Sequence, residues 1–112
     1  KVIGKTPSAR HWFGYTSVHT FALLANQEKT LDGRKLAHAM QGFKLPPEVA
    51  LQPHRPQYRP GDHELMSSVF AGEAHSAKGG NPDDMFTVHS VVPGEQAAGP
   101  VAETGCKISF PA

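Results

Sequence analysis

Cysteine, tryptophan, long apolar runs and net charge are all scarce in this 112-residue chain. A single cysteine, Cys106, excludes an internal disulfide. No histidine is organised beside it in sequence, so it offers no nucleophile–base pair. The longest apolar run, Phe21–Ala25, falls far short of the roughly 20 residues that a membrane-crossing helix requires. Eleven Lys and Arg against ten Asp and Glu leave a formal charge of +1. These charges are scattered along the chain, which excludes a basic face for nucleic acid and an acidic tail.

Catalytic signatures are equally thin. There is no HExxH or Cys/His zinc spacing and no G-x-S-x-G elbow. Gly79-Gly80 precedes Asn81-Pro82 rather than a helix, so it forms no phosphate loop. Glu73 and His75, two apart, could offer a pair of metal ligands, but solvated surface is the simpler reading. Asp62-His63-Glu64 reads as a polar turn. The chain is therefore read as a non-enzyme with no metal and no cofactor.

What is present centres on Ser8–Gln27, which holds the only tryptophan, one of two tyrosines and two of six phenylalanines. Val18, Phe21, Ala22 and Leu24-Ala25 recur at the three- and four-residue steps of a helix face. Ser8 supplies a start and Asn26–Lys29 a polar exit, predicting a long helix over 8–27. A second, shorter helix over 31–42 follows from Leu36, Ala39, Met40 and Phe43. It is capped near Thr30, carries Asp32 in its first turn, and is stopped by Gly42 and Pro46-Pro47. These two helices are expected to pack as an antiparallel pair.

Residues 48–92 read as short strands and loops. Glu48–Gln52 is a short strand, Gln57–Arg59 a brief second one closed by Pro60-Gly61-Asp62, and Met66–His75 a better one. Val69 and Phe70 are expected to be partly buried on both of its faces. Phe86–Val92 has the clearest two-residue alternation and pairs with the preceding strand as an antiparallel hairpin across the Ala77–Asp84 turn. Residues 93–112 lose periodicity and read as an irregular tail. The fold class is α+β, two helices followed by short, mainly antiparallel strands, in one segment over 1–112.

Two features suggest a piece of something larger. The hydrophobic fraction, counted without glycine, is 38%, beside the roughly 45–50% of a self-sufficient domain, a figure that counts glycine and omits tyrosine. Ten prolines and eleven glycines crowd mainly after residue 45. Helix faces made for a missing sheet would drive self-association, so the chain alone is expected to be oligomeric or domain-swapped, through Phe21, Leu24, Leu36, Met40 and Val88.

The aromatic first turn, Arg10-His11-Trp12-Phe13 with Tyr15, is richer than packing alone requires. It reads either as a core anchor or as a ligand wall in which Arg10 or His11 meets a carboxylate.

Four stretches in order, PSARHWFGYTSVHTFALLANQ, LDGRKLAHAMQGFKLP, YRPGDHELMSSVFAGEA and FTVHSVVPGEQAAGPVAETGCKI, resemble the C-terminal part of ABC-transporter solute-binding proteins. The likeness is to the type I periplasmic class, the branched-chain amino acid receptor group. Pro-Ser and Gly-Tyr open the long helix, and an R-x-G-D-H turn precedes a V-F-x-G-E strand; Glu64 stands where the family more often has Gln. The resemblance covers nearly all of the chain, with its order and spacing more specific than any one motif.

It implies a parent fold of two α/β lobes joined by hinge strands, of which this is a C-terminal fragment. It implies a small-molecule ligand (a branched-chain or other amino acid, an amide or an aromatic carboxylate), an ABC permease as partner, the N-terminal remainder of the same receptor, and a home in the periplasm or on the outer face of the cell envelope. A leader peptide would then lie in the missing N-terminal region. The start of the long helix would face the ligand, placing Arg10, His11 and Trp12 there as ligand-binding residues. Two other readings stay open: a ligand-sensing domain of a regulatory protein with the same fold, and a small protein-interaction module.

Overall fold

A computed structural model describes residues 4 and 6–108. Most of the opening Lys1–Lys5 and the last four residues of the expected tail lie outside the described residues. The architecture is α+β, with helices followed by short antiparallel strands. In chain order it has α1 (Ala9–Glu28), α2 (Gly33–Met40), α3 (Pro47–Ala50), β1 (Gln57–Tyr58), β2 (Leu65–Met66), β3 (Val69–Ala74), β4 (Phe86–Val92), α4 (Gly94–Ala97) and α5 (Val101–Thr104).

Helix α1 starts after Ser8 and ends where Lys29 turns left-handed, its N–H closing onto the Ala25 carbonyl. Its buried row shares only Leu24 with the apolar stripe that spacing suggested. Thr16, Thr20 and Leu24 are the buried residues, continuing a four-residue step from the partly buried Trp12. Val18 and Phe21 face outward, Val18 being 73% exposed. Thr16 tolerates burial because its hydroxyl donates back to the Trp12 carbonyl at 2.9 Å. The helix is therefore apolar on an outer face as well as an inner one, a pattern typical of helices enclosed on several sides.

Asp32, not Thr30, caps α2, accepting from the Lys35 N–H at 2.9 Å. Thr30 instead holds the Asp32 N–H at 3.1 Å. Gly42, at φ 73°, turns the chain out of the helix.

Glu48–Gln52 does not form a strand. Pro47 occupies the first position of a helical turn and Glu48 lies in that turn, both favourable there. This short α3 brings Val49 and Ala50 into the core with Leu45 and Tyr58, flanked by Leu23, Met40, Phe43 and Leu65. The ladder beneath is built by residues 42–45 running along 56–58: Gly42 N–H to the Tyr58 carbonyl, Tyr58 N–H to Phe43, and Leu45 N–H to Pro56. β1 pairs antiparallel with β2 on its other side.

The expected Met66–His75 strand is two strands. Ser67-Ser68 breaks it, with the buried Ser68 hydroxyl donating to the Pro53 carbonyl at 2.6 Å. β3 and β4 pair as an antiparallel hairpin from Val69↔Val92 to Ala74↔Phe86. Ala71 faces Ser90 and Gly72 faces Val88, so His89 is the extra residue of a bulge. Gly72 is needed there, because a Cβ would collide with the Thr87 carbonyl. Val69 and Phe70 are exposed rather than partly buried.

Residues 93–108 carry two helical turns, α4 and α5, rather than only an irregular tail. Gly94 is buried flat against the Met66 backbone, where no side chain would fit. The radius of gyration, 16.8 Å, exceeds the about 13 Å of a compact chain of this length. The hairpin contributes to that extension, since its strands pack chiefly on each other.

Candidate functional site

A groove of about 590 Å³ opens where the start of α1, the end of α3 and the start of β3 converge. Its walls are the aromatic first turn (Trp12, Phe13, Tyr15), Leu51 with Gln52, and Phe70 beyond Ser67-Ser68. That volume lies within the range of small-molecule pockets.

Each wall is fixed by local chemistry. The Trp12 indole N–H donates to the Ala50 carbonyl at 2.7 Å, across 38 residues, which locks the ring and joins α1 to α3. Phe13 stacks edge-on against it with centroids 5.1 Å apart. Tyr15 Oη lies 3.0 Å from His19 Nδ1 and 3.4 Å from the Glu48 carbonyl. Leu51 ends α3 in the left-handed region at φ 49°, a conformation unfavourable for a bulky side chain. Glycine would relieve that strain.

His11 is engaged at the helix start. Its Nδ1 accepts the Ser8 backbone N–H at 3.1 Å and lies 2.8 Å from Ser8 Oγ. A backbone N–H can only donate, so the neutral ring carries its proton on Nε2. Of the three residues expected to bind ligand, His11 and Trp12 line the groove, while Arg10 is exposed and outside its lining. Among the described residues no Lys, Arg, Asp or Glu lines it.

Gln52 is the polar residue in this wall with an unmet need. Its Oε1 is shielded from solvent and has no hydrogen-bond partner among the described residues. Sequence reading missed Leu51, Gln52 and Phe70, which reach the groove only through tertiary packing. The Pro46-Pro47-Glu48 helix-start signal was available and places Leu51 at the end of a turn.

A second polar centre lies at the RPGDHE turn. Arg59 grips Asp62 with two parallel bonds, Nε to Oδ1 at 2.9 Å and the other fork nitrogen to Oδ2 at 2.5 Å. It also reaches Glu64 at 2.8 Å and the Gly99 carbonyl at 2.5 Å. The Arg59 fork holds the Asp62 carboxyl below its usual range, and Asp62 in turn raises Arg59. Gly61 seats against Val101, whose Cγ1 would lie 2.9 Å from an added Cβ. The cluster is thus a staple between this turn and the C-terminal segment.

Burial pushes the Tyr58 phenol up, and the Thr20 hydroxyl nearby pulls it slightly back. Thr20 Oγ1 itself finds no partner in hydrogen-bond geometry among the described residues.

Glu73 faces His89 across the hairpin at 3.6 Å, and His75 lies 3.9 Å from Asp84. Among the described residues no three His, Cys, Asp or Glu side chains gather as a metal site. No helix among them is long and apolar enough to cross a membrane. No protein-family model matches this chain, and no curated protein and no solved structure matches it.

Proposed function

We propose that this chain is part of the extracytoplasmic solute-binding component of an ABC importer, which binds a small molecule and delivers it to a membrane permease. One observation carries the reading. The aromatic helix start that the resemblance marks as ligand-facing forms one wall of the groove, through His11 and Trp12. Rigid aromatic walls and a few polar groups suit capture of a small apolar molecule. The outward apolar residues of α1 and both faces of the hairpin fit a segment made to pack inside a larger lobe. Its place is then the periplasm or the outer face of the envelope.

The test is a thermal-shift panel of branched-chain amino acids, amides and aromatic acids on the natural gene product. A ligand that binds only the folded state raises the melting temperature. A folded product that responds to none of them sinks the reading. The exposed apolar hairpin favours a second reading, a small protein-interaction module, in which the hairpin rather than the groove would be the working surface.

A further inference from the structure

We infer that the groove takes an uncharged aromatic or branched apolar molecule bearing an amide or hydroxyl donor, with Gln52 as its polar anchor. This rests on the groove being the ligand site of the proposed receptor, and it narrows the ligand to a neutral one. Among the described residues the lining contains Pro7, Ser8, Trp12, Phe13, Leu51 and Phe70 among others, and none with a full charge. Arg10, which could have met a carboxylate, lies outside it. His11 Nδ1 is already occupied by Ser8. A carboxylate or a zwitterion entering this space would lose its hydration without meeting a counter-charge, a costly exchange.

The Gln52 amide supplies the complementary need. Its oxygen is shielded and has no partner among the described residues, and such a group gains by turning toward a donor. The terminal torsion of a glutamine is soft, so the amide can rotate into the groove when a ligand arrives. A ligand N–H or O–H then satisfies the oxygen. The indole N–H cannot compete for this role, because it is committed to the Ala50 carbonyl. Leu51, held in its unfavourable backbone conformation, presents its side chain to the apolar body of the ligand. The backbone N–H groups at the start of α1 and the His11 Nε2–H are neutral donors that would favour an anion without supplying a full counter-charge. A primary amide can serve them with its oxygen and Gln52 with its nitrogen, whereas a carboxylate serves only the former.

The experiment is a charge series of near-identical shape titrated into the chain: phenylacetamide, phenylacetate and phenylalanine. Binding is followed by calorimetry and by the Gln52 side-chain amide signals in NMR. The expected result is binding of phenylacetamide about tenfold or more tighter than phenylacetate, the scale of one unmet buried hydrogen bond. Its titration should shift the Gln52 amide signals, and Gln52→Leu should bring the amide-to-acid affinity ratio down toward one. Equal or tighter binding of phenylacetate or phenylalanine overturns the inference and leaves the receptor reading standing. An unmoved ratio in Gln52→Leu, with unmoved Gln52 signals in the parent chain, removes Gln52 as the anchor. Silence from all three compounds overturns the inference and counts against the receptor reading as well.

Discussion

The part of the chain built from α1, α2, α3 and the β1–β2 pair buries Leu24, Leu45, Val49 and Ala50 almost completely, whereas the β3–β4 hairpin leaves Phe86 and Val88 about half exposed. Both are rich in apolar side chains. The difference lies in what each can pack against. The first region has three helical pieces and a ladder facing one another, so each apolar side chain finds neighbours on several elements. Among the described residues each hairpin strand is hydrogen-bonded chiefly to the other along one edge, and that pairing leaves both faces largely uncovered. Composition therefore does not separate the two regions, but the number of layers does.

The sharpest way to test that contrast is to weaken one apolar side chain on each side. Leu45→Ala should cost about 2–5 kcal/mol in a urea denaturation series, because a fully buried leucine leaves a cavity. Val88→Thr should change stability by no more than about 0.5 kcal/mol. Comparable losses at both sites would mean that the hairpin is covered and that the contrast is wrong.

Next in size is the joint between α1 and α3. Trp12→Phe keeps the ring in the groove wall but strands the Ala50 carbonyl, which should cost about 1–3 kcal/mol. An unchanged denaturation midpoint would show that water replaces the indole without loss.

The Arg59 staple is probed by pH. The Asp62 carboxyl is depressed in the folded protein by its bonds from Arg59. Its contribution is present above the unfolded value of about 3.9 and is lost as pH falls through the lower folded value. Asp62→Asn should flatten the acid limb of the melting curve, and an acid limb identical to that of the parent would remove the staple's role. Tyr58 acts in the opposite direction. Its raised phenol contributes fully below about 10, and that contribution is lost as pH rises through the raised folded value. Tyr58→Phe should therefore flatten the alkaline limb, read in the same melting series.

The smallest expected difference is dynamic. Backbone amides of the hairpin should exchange with solvent faster than those of Gly42, Leu45 and Tyr58, whose bonds join the ladder under the core. Equal protection would place the hairpin in the same cooperative unit.

The extent of both long helices was legible to within a few residues, because Ser8, Gly42 and the apolar spacing mark helix ends through local chemistry. The hairpin was legible for the same reason, its alternation and turn residues being local. What stayed hidden depends on distant residues. Hydroxyls at Thr16 and Thr20 look like surface until Tyr58 and α3 arrive to cover them, so the helix was read with its outer stripe as its core. Leu24 and Leu36 were expected at a contact between copies, yet both are enclosed within the chain, leaving Phe21 and Val88 as the exposed members of that set. Val69 and Phe70 were expected to be covered because they are apolar, but no layer comes over them. In the groove, the helix start was visible as an aromatic cluster, while Gln52 and Phe70 gain meaning only from folding.

Arg59 holding the Gly99 carbonyl, with Gly94 seated on the Met66 backbone, closes the chain on itself at the foot of the hairpin. The two strands and their Ala77–Asp84 turn hang from that closed base as an insertion, and the ends of the insertion are fixed whatever its length. Loop closure costs only about 0.6 kcal/mol for each doubling of length. Evolution or an engineer can thus lengthen or trim the hairpin beyond Phe70 while the helices and the ladder keep their places.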